Sequence, residues 1–295
     1  MPVGRPRSIP APLLVLGGIL SVQVGAAVAT GLIRDLGPLV TVTIRLDIAA
    51  MVLVAFARPS LRGRTRGDWG AVALLGLSLV VMNVTFYNAI ARLPLGVVTT
   101  IEFLGPLGLA AAASRRPIDF VAVAVALAGV VAVSGALTTS MGNLDLVGLG
   151  FTFVAGASWA AYIVTTRAVG SRWRQVDGLA ISMAIAAILI TPAGVAAAQG
   201  VTITVPQLVA GAAVAVLSSA LPYSLELLAL RRIDNRVFGI LLSLEPAAAA
   251  MVGFLLLGQA LALSQVVGVG LVVAASSIVL VSQSAPPEVE AAEIG

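Results

Sequence analysis

The chain is a succession of apolar stretches, each about long enough to cross a bilayer, and this recurrence restricts the fold more than any other feature. About 20 residues of helix cross the roughly 30 Å of hydrocarbon in a membrane. Ten such segments can be read, at about 12–33, 38–57, 69–90, 95–113, 118–137, 145–166, 178–198, 206–229, 237–257 and 261–282. The connections are short and carry turn residues or arginines, which leaves no room for a soluble domain. With 59% hydrophobic and 10% charged residues among 295, the chain lacks the charge to coat a particle in water. Backbone groups in hydrocarbon must be satisfied within the segment that carries them, so the expected class is an all-α integral membrane protein.

The basic residues give the segments a direction. All 17 are arginine. With the N-terminus in the cytoplasm, Arg5, Arg7, Arg58, Arg62, Arg64, Arg66, Arg115, Arg116, Arg167, Arg172, Arg174, Arg231, Arg232 and Arg236 fall on the cytoplasmic side, Arg34 and Arg92 fall outside, and Arg45 lies within a span. That asymmetry is the one expected of positive charge retained inside, and it places both termini in the cytoplasm. Arg5, Arg7, the run from Leu13 and Ala27-Val28-Ala29 also have the ingredients of a cleavable signal peptide. The run is nevertheless long enough to span, and its loss would remove the first helix of a repeat.

The two halves overlay with an offset of 140 residues, which sets Ser78 on Ser218, Arg92 on Arg232, Val97 on Val237, Leu104 on Leu244 and Pro106 on Pro246. Five spans per half is an odd number, so the second half enters the membrane with opposite orientation. Inverted repeats of this kind recur in transporters, with solute held near mid-bilayer. The organisation expected is therefore a cytoplasmic segment over 1–11, five-helix repeats over 12–137 and 145–282, and a polar, disordered cytoplasmic tail over 283–295.

Ionisable groups inside a membrane cost about 2.5 kcal/mol or more at a helix centre and are functional candidates by default. The set is Arg45 and Asp47 in span two, Glu102 in span four, Glu226 near the inner end of span eight, and Glu245 in span nine. By the helical rise, Arg45 and Glu102 lie roughly 10 Å from the outer ends of their spans, where they could pair. Glu245 lies at a mirrored depth from the inner end and could share a cavity with Glu102, while Asp47 cannot face Arg45 at a spacing of two. Both of these glutamates adjoin a proline: Pro106 cannot bond the carbonyl of Glu102, and Pro246 follows Glu245 directly. Each proline permits a kink and frees a carbonyl, so Pro106 and Pro246 are the candidate gating positions. Gln23, Asn83, Tyr87, Asn88, Trp159, Tyr162 and Tyr223 could complete a cavity, or instead tie helices together or anchor at the interface. Gly17, Gly18, Gly105, Gly129 and Gly156 read as close-packing positions.

With no His and no Cys, the usual proton relay, thiolate chemistry and the commonest metal ligands are absent from the sequence. No phosphate-binding loop, zinc-protease or nucleophile-elbow motif is present. An enzyme is not expected, and neither a cofactor nor nucleic acid is expected as a partner.

Several strings carry a resemblance. Pro94-Leu95-Gly96, Glu102-Phe103-x-Gly105-Pro106-Leu107 and Ser114-Arg115-Arg116-Pro117-Ile118-Asp119-Phe120 occur in the first half. Leu221-Pro222-Tyr223-Ser224-Leu225-Glu226 and Phe238-Gly239-x-Leu241-x-Ser243-x-Glu245-Pro246-Ala247 occur in the second. Together with Gln23, Met82-Asn83 and Phe86-Tyr87, they make the chain similar to the drug/metabolite transporter superfamily with EamA-type repeats, in its threonine/homoserine exporter branch. The resemblance implies efflux of a small neutral amino acid across a bacterial inner membrane, exchanged for protons. Gly258-Gln259, where relatives usually carry an acid after the glycine, and Asp47 near Arg45 depart from that pattern. An acceptor for the ammonium would be Glu102 or Glu245; a donor for the carboxylate would be Arg45, Asn83 or a kink-exposed amide. The competing readings are a carrier of another metabolite, nucleotide sugar or cationic drug, and a non-transport membrane protein. A phosphorylated cargo would want several basic residues in the cavity, and Arg45 alone is available.

Overall fold

The computed structural model describes residues 9–90, 92–93, 95–134, 145–257 and 262–284. Most of the expected N-terminal segment, nearly all of the expected tail, Pro94 and the Gly258-Gln259 pair lie outside these residues. Every regular element among them is helical: α1 (Ala11–Leu36), α2 (Pro38–Ala57), α3 (Arg66–Ile90), α4 (Leu95–Glu102), α5 (Leu104–Ala113), α6 (Pro117–Ser134), α7 (Leu146–Arg172), α8 (Asp177–Ala197), α9 (Val205–Ala215), α10 (Leu221–Leu230), α11 (Asn235–Leu242), α12 (Leu244–Leu257) and α13 (Leu263–Ser284). Eight helical stretches are long and apolar enough to cross a membrane, and Val97–Ala113 and Pro117–Val133 are shorter apolar stretches. The helices overrun several expected limits. α1 begins at Ala11, α7 continues to Arg172, and α13 reaches Ser284, so the first residues assigned to the tail are helical.

Local chemistry sets the ends of these elements. Gly37 holds φ +80° between α1 and α2, a conformation natural to glycine, and Pro38 opens α2 where its missing N–H costs nothing. The carboxylate of Asp145 caps α7 by accepting from the N–H groups of Val147 and Gly148, and Asp234 caps α11 through Val237. The hydrogen bond from Arg92, joined by the capping N–H groups, holds the Asp145 carboxyl below the usual carboxylate range.

Prolines account for the interruptions inside the apolar runs. Pro106 and Pro246 offer no N–H to the carbonyls of Glu102 and Leu242. The helix breaks immediately after those residues, at Phe103 and Ser243. Four residues before Pro222 the chain widens into a π turn, Val216–Ala220, linking α9 to α10. Pro192, by contrast, is carried inside α8 without a break.

The helices pack as α3 on α7, α6 on α13, α2 on α8, α1 on α10 and α5 on α11. Small residues set the closest approaches: a Cβ on Gly105 would lie 1.9 Å from the carbonyl oxygen of Gly156, and one on Gly268 would lie 2.8 Å from that of Gly129. The outside is apolar, with Phe56 and Leu146 each 80% exposed and Ile188 72% exposed, a surface suited to lipid rather than water. Arginines knit one end of the bundle. Arg231 donates to the carbonyls of Trp173 and Gln175 at 2.7 and 2.5 Å, and Arg232 donates to that of Ile9 at 2.6 Å. Arg236 of α11 pairs at 2.5 Å with Asp119 of α6, whose side chain is fully buried.

Candidate functional site

A cavity of about 590 Å³ runs into the bundle from the end carrying the α1–α2 turn. Its outer wall comes from the ends of several helices, among them Ile33 of α1, Ile90 of α3, Val133 of α6 and Gln265 of α13. Deeper in it are Gln23, Arg45, Tyr87, Glu102, Trp159, Glu245 and Pro246. A recess of about 170 Å³ continues from there toward the opposite end and adds Asn83, Tyr162, Tyr223 and Glu226. The cavity and its recess thus contain every expected site residue except Asp47, Asn88 and Pro106.

The helix breaks explain why both acids reach the cavity. Glu102 is the last residue of α4 and Glu245 the second of α12, so each stands at a point where the backbone changes direction. Glu102 is 7% exposed. Gly156 allows this placement, since a Cβ there would lie 2.9 Å from the Glu102 carbonyl oxygen. Glu245 accepts a 3.4 Å hydrogen bond from the amide of Gln23 on α1. In the recess the hydroxyl of Tyr162 donates to the Glu226 carboxylate at 2.7 Å, and the Tyr223 ring lies 5.4 Å from that of Tyr162.

Arg45 does not pair with Glu102 as its depth suggested. Its guanidinium donates to the side-chain oxygen of Asn83, whose amide in turn donates to the Leu79 carbonyl at 2.7 Å. Equal depth brings two residues to one level but leaves their azimuth open, and α2 has only slight contact with α3 and none with α4 among the described residues. Asn83 thus takes the place beside Arg45 that depth alone assigned to the acid. Arg45 is left with a neutral partner and no ion pair among the described residues, a cation facing a cavity.

Asp47 faces away, accepting at 2.9 Å from the Thr191 hydroxyl of α8, and it lines neither cavity nor recess. Asn88 is also turned out, its amide donating to the Val84 carbonyl. Pro106 serves the closed end, where its carbonyl meets Gly239. The lining residues not singled out as site candidates include Phe86, Thr99, Phe103, Ser218 and Gln265. Phe103 and Ser218 occurred in the strings and the overlay without a role attached, and Thr99 lies one helical turn before Glu102. Phe103 stacks edge-on against Trp159, with ring centroids 4.8 Å apart, and gives the cavity an aromatic wall.

An apolar multi-helix bundle with broken helices, buried charges and a deep cavity defines a membrane transporter. The chain belongs to the EamA-like transporter family, whose model matches residues 146–281. It is 38% identical over 276 residues to the threonine/homoserine exporter RhtA of Salmonella typhimurium (strain LT2), covering 92% of this chain and 93% of that one. To RhtA of Escherichia coli (strain K12) it is 36% identical over 264 residues, covering 90% and 89%. A solved crystal structure shares the fold at a TM-score of 0.77, with 18% identity and coverage of 92% and 96%. The chain is accordingly a multi-pass membrane protein and a transporter, not an enzyme.

Proposed function

We propose that this chain exports small neutral amino acids of the threonine and homoserine type across a bacterial inner membrane, by alternating access coupled to protons. The observation that carries the reading is the disposition of charge in one cavity. Arg45, a cation with only a neutral partner, lines the same recess as Glu102 and Glu245. A zwitterion offers the complement of that set, its carboxylate to Arg45 and Asn83, its ammonium to the acids. A desolvated site makes such interactions strong and an unpaired charge costly, which selects against solutes missing either group. The similarity to RhtA exporters supports the same cargo class.

The proposed architecture is ten spans in two inverted five-helix repeats, over 12–137 and 145–282, with both termini cytoplasmic and the cavity mouth outside. Its support is the agreement of element limits. α4 (Leu95–Glu102) and α11 (Asn235–Leu242) are offset by 140 residues, and so are the breaks at Phe103 and Ser243 and the starts of α5 and α12 at Leu104 and Leu244. Binding and release of a proton by a cavity carboxyl as access alternates would supply the drive, with Glu102, Glu245 and Glu226 as the available groups.

The test is export of labelled threonine from loaded cells. Glu102→Gln and Glu245→Gln are each expected to lower the rate at least ~10-fold with protein levels in the membrane unchanged, equivalent to about 1.4 kcal/mol. Normal export by both variants would reject the site.

A further inference from the structure

Under the repeat proposed above, helix contacts should come in matched sets, and most do. α3 packs on α7 as α1 packs on α10; α5 meets α7 as α12 meets α1; α5 meets α6 as α12 meets α13; and α4 meets α6 as α11 meets α13. The largest departure is at the broken helices. α5 and α11 pack so closely that a Cβ on Gly239 would lie 2.6 Å from the Pro106 carbonyl oxygen and 3.3 Å from the Ala110 Cβ. Among the described residues, α4 and α12 make no such approach.

The offset identifies what would meet if they did. Residue 239 corresponds to 99, residue 106 to 246 and residue 110 to 250, so the counterpart of the Gly239, Pro106 and Ala110 contact is Thr99, Pro246 and Ala250. All three of these line the cavity. We infer that Thr99, Pro246 and Ala250 form the outer closure of the transport path, made when α4 swings onto α12 about the breaks at Phe103 and Ser243.

The two closures are chemically unequal. The inner one is backbone against backbone because residue 239 is glycine; the outer one carries the branched side chain of Thr99, which holds α4 and α12 further apart and weakens their contact. The inner end has a second tie in the Arg236–Asp119 pair. Its positions correspond by the same offset to Gly96 and Gln259, neither of which is charged. The outward-open form is therefore the resting state, and Thr99 sets how far it is favoured.

This inference rests on the repeat and orientation proposed above but not on the cargo, and the experiment separates them. The chain has no cysteine, so a Thr99→Cys/Ala250→Cys variant carries only the introduced thiols. Under oxidation of the purified protein without solute, the disulfide is expected to form slowly and to form several-fold faster when Gly239→Ala disrupts the inner contact. No disulfide in folded double variant, or a rate indifferent to Gly239→Ala in folded protein, overturns the assignment. A second reading leaves residue 239 untouched. With the outer pair linked first, a cysteine at Ala110, now fully buried, is expected to gain reactivity toward a membrane-impermeant thiol reagent applied to the cytoplasmic side. Unchanged reactivity overturns the assignment equally. Closure that responds as expected while threonine is not carried would reject the cargo alone; threonine transport with unresponsive crosslinking would reject the closure alone.

Discussion

The two broken-helix pairs use the same covalent device and end in opposite conditions. At the α5–α11 end, Gly239 lies against the Pro106 carbonyl and Arg236 pairs with the buried Asp119. At the α4–α12 end, Thr99, Pro246 and Ala250 line an open cavity. Proline three residues past each break withholds the N–H that the carbonyl four residues before it would accept, in both places. The kink alone therefore does not decide whether an end is shut; the side chains flanking it do. On the closure proposed above, one glycine and one ion pair bias the bundle toward one side.

Substitutions at the two ends should differ in kind. The largest effect on stability is expected at the closed end for Arg236→Ala, which leaves the Asp119 carboxylate buried without its partner. Losses of this sort run about 3–5 kcal/mol, and thermal unfolding in detergent would measure it. Gly239→Ala comes next, at roughly 1–3 kcal/mol for forcing a methyl group into a filled contact. Thr99→Ala, at the open end, should lower the unfolding temperature less than Gly239→Ala, because α4 and α12 make no contact among the described residues. Equal losses for Gly239→Ala and Thr99→Ala would erase the distinction between the ends. The smallest effect is expected for Asp47→Asn. Its carboxylate bonds Thr191 outside the cavity, so threonine export should stay within about twofold of the unaltered chain. A large loss there would extend the pathway to the α2–α8 interface.

Much of this was legible from residues alone. Apolar runs gave the helices, and the prolines at 106 and 246 gave the breaks, because both follow from backbone chemistry local to the sequence. Nine of the ten expected binding or coupling residues carry a charge, an amide or a phenol, groups that hydrocarbon would not retain without a use; Trp159 is the exception. The Arg45–Glu102 pair was misread because depth is fixed by the helical rise whereas azimuth depends on tertiary packing. Thr99 carried no signal, and Phe86 and Phe103 stood in the quoted strings without a role, since apolar and small residues look alike on a cavity wall and on a packed face. The difference between the two ends was also hidden. The overlay aligns Thr99 with Gly239, but only packing reveals that one position is in contact and the other is not.

The central claim is that Arg45 on one side and Glu102 and Glu245 on the other read both charges of one zwitterion. The most direct measurement is competition against labelled threonine exchange in proteoliposomes, using homoserine, 1-amino-2-propanol (which lacks the carboxylate) and 3-hydroxybutanoate (which lacks the ammonium). Homoserine is expected to compete near its own concentration scale, and each singly charged analogue at least ~100-fold more weakly, a difference of about 2.7 kcal/mol. Competition by either analogue as strong as that by homoserine would contradict the account.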